Sequence, residues 1–284
     1  MHVIRAKTAG FCFGVSHALA TLDRQLQKEG GPKDRLITLG PIIHNPLVME
    51  EYKKKGVLCL DAIEDVRAGD RVVIRAHGIP KEKEEALIQT GAFVVDATCP
   101  KVKKAQLAIA KEAGAGKTLL LLGEKDHPEV QGLISYAGDK TMVFSSLSEL
   151  EQMHLTATAT YFLAAQTTQG KELFLQVRDS LQARLSSSFT EVHTICDATK
   201  SRQDELGALA PYVQAFVVVG GLNSGNTRRL AQVAQTYGLP AFHVERREDL
   251  NPALLDGFTC VGLTAGASTP DQHIEVMEAF LTSL

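Results

Sequence analysis

One pattern occurs three times along this chain, and it limits the possible folds more than any other feature. Each copy begins with a strand-like run that ends at a cysteine: Cys12 in "TAGFC", Cys99 in "FVVDATC" and Cys196 in "EVHTIC". A helical segment follows each cysteine, and two apolar strands with polar turns follow the helix. A repeat of roughly 95 residues in which strands alternate with helices predicts an α/β protein with mostly parallel sheets.

The polar turns carry histidine, serine or threonine at similar distances from the cysteine of each copy. They supply His44 and His77 in the first copy, His127 and Thr167 in the second, and Ser224 and Ser268 in the third. Between the two turns of each copy lies an acidic segment that reads as a helix start: "DAIEDV", "SSLSELEQ" or "ERREDLNP". Functional residues of open α/β sheets gather at the carboxyl ends of strands, so these turns are expected to line a site.

We therefore predict an α/β protein with three similar βα lobes in a pseudo-threefold (trefoil) arrangement around a central cluster cavity. The expected lobes comprise residues 1–92, 93–188 and 189–284, with one of the three repeated cysteines in each. This arrangement would direct the three cysteines and all the polar turns toward one cavity. In an ordinary α/β chain, strands and polar turns can also alternate by chance. Chance explains less well why the polar residues recur at similar sequence distances from the cysteines.

The number and spacing of the cysteines favour an iron–sulfur cluster. Disulfides pair cysteines, and structural zinc usually takes four ligands, often as CxxC pairs, which this chain lacks. Cysteine thiolates hold iron–sulfur clusters, and a four-iron cluster with three such ligands leaves one iron open for catalysis. We expect Cys12, Cys99 and Cys196 to be those ligands. Cys59 and Cys260 lie in apolar runs away from the turns and are expected to fill the core.

The remaining polar residues predict a site for a phosphorylated ligand. Histidine, serine, threonine and asparagine donate hydrogen bonds to phosphate oxygens, and several of the turns precede helices, whose N-termini favour anions. Asn226 in "GGLNSGNT" stands where a nucleotide-hydrolysing loop has lysine, so this turn predicts anion binding without nucleotide hydrolysis. Glu129, two residues after His127, is the carboxyl of the set, and burial would make it a proton donor.

Composition excludes several classes of function. The 284 residues carry a net charge of −3 without a long basic run, which argues against nucleic acid or a membrane surface as a partner. Apolar stretches fall short of the roughly 20 residues that span a bilayer, and the first residues lack the apolar region of a signal peptide. A cytoplasmic enzyme is therefore expected.

In these motifs the chain resembles the LytB/IspH family of hydroxymethylbutenyl diphosphate reductases. The shared segments run from residue 9 to 269 and include "AGFCFGV", "GPIIHNP", "DATCPKV", "HPEVQG", "AQTT", "NSGNT" and "GAST". The resemblance implies a three-lobed α/β fold around a 4Fe–4S cluster held by Cys12, Cys99 and Cys196. It also implies reduction of (E)-4-hydroxy-3-methylbut-2-enyl diphosphate to isopentenyl and dimethylallyl diphosphates, the last step of the non-mevalonate isoprenoid pathway.

The resemblance also implies roles for single residues. Glu129 matches the family's proton donor, Thr167 matches a threonine beside the substrate hydroxyl, and His127 matches a histidine of the same relay. The diphosphate would be held by His44, His77, Ser224, Asn226 and Ser268, with His127 close by. Electrons would come from ferredoxin or flavodoxin.

Two positions depart from the family pattern, and two other functions stay open. Ser224 is followed by Gly225 where the family commonly has a second serine, and Asp197 follows Cys196 where an aromatic or small residue is frequent. The alternatives are a non-redox iron–sulfur dehydratase and a non-enzymatic iron–sulfur sensor. A dehydratase needs no electron supply, and a sensor does not need Glu129.

Overall fold

Three parallel sheets of four strands form the framework of this computed structural model, which describes residues 1–28, 35–156, 159–185 and 189–284. The strands are β1 His2–Arg5, β2 Leu36–Leu39, β3 Leu58–Leu60, β4 Arg71–Ile74, β5 Phe93–Asp96, β6 Thr118–Leu122, β7 Thr141–Phe144, β8 Tyr161–Ala165, β9 Phe189–Glu191, β10 Ala215–Val219, β11 Ala241–Val244 and β12 Cys260–Ala265. The helices are α1 Phe13–Leu26, α2 Pro46–Lys54, α3 Lys81–Gln89, α4 Pro100–Gly114, α5 Pro128–Ser135, α6 Leu147–Gln152, α7 Lys171–Leu185, α8 Asp197–Leu209, α9 Gly225–Thr236 and α10 Asp271–Ser283.

All three sheets have the same strand order. It is β3-β2-β4-β5 in the first sheet, β7-β6-β8-β9 in the second and β11-β10-β12-β1 in the third. Every pair of neighbouring strands is parallel. The predicted α/β class with three similar repeats is therefore confirmed.

The strand that leads to each cysteine pairs with the sheet of the preceding copy. β5 leads to Cys99 and pairs with β4, and β9 leads to Cys196 and pairs with β8. β1 leads to Cys12 and pairs with β12, near the end of the chain. The lobe boundaries 1–92, 93–188 and 189–284 stay a prediction, and these strands pair across them.

The described chain divides into two compact units that do not coincide with the sheets one to one. Unit 1 comprises Met1–Ser16, Ile43–Glu51 and Asp197–Leu284, and it contains the sheet of β10. Unit 2 comprises His17–Ile42 and Tyr52–Cys196, and it contains the sheets of β2 and β6.

The central strand β10 is apolar on both faces because α9 and α10 cover the two sides of its sheet. All five residues of β10 are buried. Val217 and Val219 belong to a cluster with residues of α10, whereas Phe216 and Val218 belong to a cluster with residues of α9. A parallel strand with helices on both faces reads as a continuous apolar run, which is what "AFVVV" shows in the sequence.

The expectation that Cys59 and Cys260 fill the core is wrong for Cys59. Its side chain is exposed on β3, a strand of three residues at the edge of its sheet. An edge strand has a neighbour on one side alone, so an apolar run does not guarantee burial there. Cys260 is partly buried and packs against the cluster that contains Phe216.

The helices are short compared with the thickness of a bilayer. α4 and α7 have 15 residues each, whereas a spanning helix needs about 20 apolar residues. Within the described ranges, no helix is both long and apolar enough to cross a membrane.

Candidate active site

The predicted polar turns follow the strands at which the strand order reverses. The two central strands, β2 and β4, β6 and β8, or β10 and β12, lie side by side in each sheet, and their other neighbours lie at opposite edges. These turns supply His44 and His77 after β2 and β4, His127 and Thr167 after β6 and β8, and Ser224 and Ser268 after β10 and β12. Ligands of open α/β sheets bind beyond the carboxyl ends of strands at such a reversal. The topology therefore favours these turns as ligand sites.

The three cysteines make the same backbone hydrogen bond in their respective sheets. Each cysteine amide donates to the carbonyl of the second residue after the central strand β12, β4 or β8, respectively. The N···O distances are 3.2 Å from Cys12 to Ala267, 2.9 Å from Cys99 to Ala76, and 3.0 Å from Cys196 to Thr167. The cysteines thus occupy equivalent places in the repeat, and none of the three forms a disulfide.

This hydrogen bond corrects by one residue the predicted alignment of the turns that follow β4, β8 and β12. Thr167 is equivalent to Ala76 and Ala267, and it precedes the position held by His77 and Ser268 in the other copies. Spacing along the sequence could not fix this register because the loops of the three copies differ in length. Thr167 therefore contributes its carbonyl to the cysteine loop as well as its hydroxyl to the site.

In unit 2, Glu129 and Thr167 form a buried hydrogen-bonded pair. The Thr167 amide donates to Oε1 of Glu129 over 2.6 Å, and the Thr167 hydroxyl donates to Oε2 over 3.0 Å. Glu129 is 1% exposed and Thr167 is 5% exposed. Burial raises the pKa of Glu129 to about 6, although the two bonds from Thr167 act in the opposite direction. A carboxyl with this pKa can hold a proton near neutral pH and release it to a substrate.

His127 joins the same group as the N-cap of α5. Its Nδ1 accepts a hydrogen bond of 3.1 Å from the amide of Glu129, so a neutral His127 ring carries its proton on Nε2. The His77 ring contacts His127 edge-on, with centroids 5.5 Å apart and planes at 82°. Within unit 2 the structure thus brings together His77, His127, Glu129 and Thr167, as the sequence predicted.

The raised pKa of Glu129 predicts a pH-dependent stability. A carboxyl with a folded pKa near 6 and an ordinary value of 4.5 stabilises the fold fully below pH 4.5, and this contribution disappears as the pH rises through 6. The difference amounts to about 2 kcal/mol in the free energy of unfolding. As the pH rises from acid to neutral, the free energy of unfolding of Glu129→Gln should therefore increase by about 2 kcal/mol relative to that of the wild type. Thermal unfolding at several pH values measures it, and parallel pH profiles for the two proteins would contradict the assignment.

In unit 1, the turn after β10 forms the N-terminus of α9. Ser224 is the N-cap and accepts a hydrogen bond of 3.4 Å from the amide of Thr227. Asn226 is 7% exposed, and its Nδ2 has no hydrogen-bond partner among the described residues. Buried polar atoms are normally paired, so an amide of this kind at a helix N-terminus indicates an anionic ligand. Gly225, the departure from two adjacent serines, still offers its backbone N–H as the first residue of α9.

The loop of His44 is fixed against Ser268 and the α9 turn within unit 1. The Ser268 hydroxyl donates to the carbonyl of His44 over 3.1 Å. A Cβ at position 221 would lie 3.0 Å from that carbonyl, so Gly221 permits the close approach. Asn45 donates to the carbonyl of Ser268 over 2.8 Å and also accepts from the first amides of α2. Unit 1 thus gathers the predicted His44, Ser224, Asn226 and Ser268.

Asn45 and Asp197 lie beside these sites, and each stands at the start of a helix. Asn45 was missed as a site residue, although asparagine before proline is a recognisable start of a helix. Asp197 begins α8, where a carboxylate interacts favourably with the helix dipole, and this gives the departure beside Cys196 a structural role.

Comparison with known proteins identifies the family. A sequence model described as LytB protein matches residues 3–282. The chain belongs to the LytB family. Curated LytB relatives named 4-hydroxy-3-methylbut-2-enyl diphosphate reductase include those of Nitratidesulfovibrio vulgaris (strain DP4), 53% identical, and Oleidesulfovibrio alaskensis, 54% identical, each matched over 100% of both chains. The Aquifex aeolicus protein of that name is 40% identical over 98% of this chain and 94% of its own.

Solved structures agree with this family. The E-1-hydroxy-2-methyl-but-2-enyl-4-diphosphate reductase from Plasmodium falciparum matches with a TM-score of 0.93 at 26% identity, over 100% of this chain and 87% of that one. A structure of (E)-4-hydroxy-3-methyl-but-2-enyl diphosphate reductase, the terminal enzyme of the non-mevalonate pathway, matches with a TM-score of 0.70 at 38% identity over 100% of both chains. The three-sheet fold is thus the fold of LytB reductases.

Proposed function

We propose that this protein is a 4-hydroxy-3-methylbut-2-enyl diphosphate reductase, the terminal enzyme of the non-mevalonate isoprenoid pathway. The substrate loses its allylic hydroxyl as water, and two electrons and two protons are consumed to give isopentenyl or dimethylallyl diphosphate. The observation that carries the proposal is the buried Glu129–Thr167 pair, whose carboxyl has a pKa of about 6. Full-length relatives at 53–54% identity carry this name.

The three equivalent cysteines fit an iron–sulfur cluster. Cys12, Cys99 and Cys196 are partly buried, lie outside disulfides and share one hydrogen-bonding position in the repeat. Three thiolates suit a 4Fe–4S cluster with one open iron, and the chain lacks the CxxC pairs of structural zinc. We infer that these residues are the ligands. When bound, such a cluster supplies electrons and a Lewis-acidic iron.

The residues of unit 2 supply the protons. Glu129, in its neutral form, donates a proton to the leaving hydroxyl, because loss of water is easier than loss of hydroxide. Thr167 orients the Glu129 carboxyl through its amide and hydroxyl, and it accepts or relays a proton at Oγ1. His127, with its proton on Nε2, donates to the same part of the substrate. Burial of Glu129 and Thr167 keeps bulk water from competing for these protons.

The diphosphate binds away from the reacting carbon. We assign it to His44, His77, Ser224, Asn226 and Ser268, with His127 nearby. The N-terminus of α9 offers backbone N–H groups and a favourable dipole to the phosphate oxygens. Binding energy from this distant group orients the allylic hydroxyl for reaction.

The remaining expectations on partners rest on the reaction. Ferredoxin or flavodoxin is proposed as the electron donor, because the reaction consumes two electrons at low potential. We propose no role for nucleic acid or a membrane surface, since the net charge is −3 and the ligand is a small diphosphate. The cytoplasmic location stays a prediction.

Anaerobic assays test the proposed reaction against its alternatives. Protein purified without oxygen is supplied with the allylic diphosphate and a chemical reductant, and the products, iron and sulfide are measured. The reductase should form isopentenyl and dimethylallyl diphosphates only when reductant is present. Water loss without reductant would identify a dehydratase. A loaded cluster without any turnover would favour a sensor, and protein without iron would remove the cluster assignment.

Ser224→Ala should mainly weaken substrate binding. The change removes one diphosphate donor and one helix cap, so we expect the KM to rise about tenfold and kcat to change little. Steady-state kinetics of the allylic diphosphate measure both values. Ser146→Ala is the matched control, because Ser146 caps α6 in the same way, over 3.2 Å to the amide of Glu149. A collapsed kcat with an unchanged KM would contradict the role of Ser224.

A further inference from the structure

The loop that carries Cys12 is held by a carboxylate of α8. This loop, residues 6–12, connects β1 to α1, and all of it lies in unit 1 together with α8. Glu205 accepts from the amide of Lys7 over 2.7 Å and from the amide of Thr8 over 2.9 Å. The hydroxyl of Thr8 also donates to Glu205. One carboxylate therefore satisfies two consecutive backbone donors and a side-chain donor of the loop.

A buried arginine of the same helix holds the loop at Gly10. Nη2 of Arg202 donates to the carbonyl of Gly10 over 2.6 Å, and Nη1 donates to the carbonyl of Ala198 over 3.0 Å. The Arg202 residue is 5% exposed. Gly10 has a φ of +104°, and a Cβ there would lie 3.3 Å from Cδ1 of Ile274, so the chain turns tightly at this point.

Two further backbone bonds connect the ends of the loop to β12 and to the turn after it. The amide of Ala6 donates to Leu263 over 2.8 Å, and the amide of Cys12 donates to Ala267 over 3.2 Å. Between these two anchors, Glu205 and Arg202 hold Lys7, Thr8 and Gly10. The loop makes no regular helix or strand, so the side chains of α8 take the place of secondary structure as its hydrogen-bond partners.

The spacing on α8 explains how one helix does this. Arg202 and Glu205 are three residues apart and lie on the same face of the helix. Burial alone would raise the pKa of Glu205, but the bonds from Thr8 and Lys7 lower it, which keeps the carboxylate charged. Hydrogen bonds to charged groups are stronger than those between neutral groups. Two charged side chains that contact residues 7, 8 and 10 of a seven-residue loop restrict its motion.

We propose that Glu205 and Arg202 are positioning residues that hold the Cys12 thiolate in place for cluster ligation. This inference rests on the proposed function, since it presupposes that Cys12 ligates a cluster. Residues that orient a metal ligand affect how tightly the metal is held and tune its potential. Neither side chain needs to touch substrate, so their effect on the reaction passes through Cys12.

The experiment compares carboxamide variants of two neighbouring acids on α8 in the anaerobically purified holoenzyme. Glu205→Gln loses an acceptor and the charge, whereas Asp204→Asn makes the same chemical change at an exposed position. We expect iron loss to a chelator to become about tenfold faster in Glu205→Gln and to remain at the wild-type rate in Asp204→Asn. The reduction potential of the cluster should shift in Glu205→Gln alone.

Further variants separate positioning from general loss of structure. Thr8→Val removes the hydroxyl contact but keeps both amide contacts, so its iron loss should lie between wild type and Glu205→Gln. Arg202→Met should accelerate iron loss. Arg202→Lys should lose iron more slowly than Arg202→Met because lysine keeps a cationic donor. Hydrogen exchange should increase in peptides that cover residues 6–12 and remain unchanged in the sheets of unit 2.

The outcomes distinguish this inference from the proposed function. If the wild type holds its cluster and reduces the substrate but Glu205→Gln matches it in iron loss, potential and exchange, the positioning role is overturned. If Glu205→Gln loses exchange protection throughout unit 1, the residue supports the whole unit and the positioning role is also rejected. If the wild type binds no iron, the proposed function itself has failed.

Discussion

Glu129→Gln should reduce turnover by about 10²–10⁴-fold, the usual contribution of a positioned proton donor. Glutamine has nearly the shape of glutamate, and its carbonyl oxygen can still accept the 2.6 Å bond from the amide of Thr167. However, an amide is a far weaker acid than a carboxyl with a pKa of about 6, so glutamine cannot donate the proton. The cluster should remain in place because Glu129 is not among its proposed ligands.

The measurement combines kinetics with analysis of the cluster. We expect kcat to fall while KM, iron content and sulfide content stay close to those of the wild type. Glu151→Gln is a suitable control, since it makes the same substitution at an exposed carboxyl of unit 2. Turnover of Glu129→Gln at the wild-type rate would remove Glu129 as the proton donor.

Alanine at Cys12, Cys99 or Cys196 should abolish the cluster and with it the activity. Thiolates are the ligands of such clusters, and alanine offers no atom that could replace sulfur. Each variant purified without oxygen should therefore contain little iron and sulfide and show no reductant-dependent turnover. Cys59→Ala and Cys260→Ala are the matched controls and should keep both.

At Cys99, loss of iron in the alanine variant can be attributed to the missing sulfur atom. Cys99 is the N-cap residue of α4, but its side chain makes no capping hydrogen bond, so alanine removes no cap. The backbone bond from the Cys99 amide to Ala76 does not involve the side chain and persists in the variant. Lost iron in Cys99→Ala with unchanged circular dichroism would thus report on the sulfur atom. Full iron content in any of the three alanine variants would contradict the ligand set.

The repeat was predictable from the sequence because short apolar runs and turn residues specify each of its elements locally. Apolar runs of four to six residues became the buried central strands, and the residues after them became the turns that hold His127, Ser224 and the other predicted groups. Of the three acidic segments, "SSLSELEQ" forms α6, where Ser146 accepts from Glu149. The other two form single 3₁₀ turns at Ile63–Asp65 and Arg247–Asp249, too short for an α-helix.

The features that the sequence did not predict depend on contacts between residues far apart in the chain. The register of Thr167 with Ala76 and Ala267 is set by hydrogen bonds, whereas loop lengths vary among the copies. Glu205 and Arg202 read as ordinary charged residues of a helix, because their partners in residues 7–10 are almost two hundred positions away. Hydrophobic periodicity records which face of a helix is buried, but it does not record what lies against that face.

The pairing of β1 with β12 has a consequence for the order of events during synthesis. His2 lies opposite Cys260 and Arg5 opposite Leu263, so β1 can pair only after β12 has been synthesised. Until α8 and β12 have been made, the nascent chain therefore lacks the bonds from the Cys12 loop to α8 and from the Cys12 amide to Ala267. Contacts across such a separation form late, since closing a long loop costs entropy before any contact offsets it. The Cys12 loop thus takes its final conformation only after β12 has been synthesised and has paired with β1.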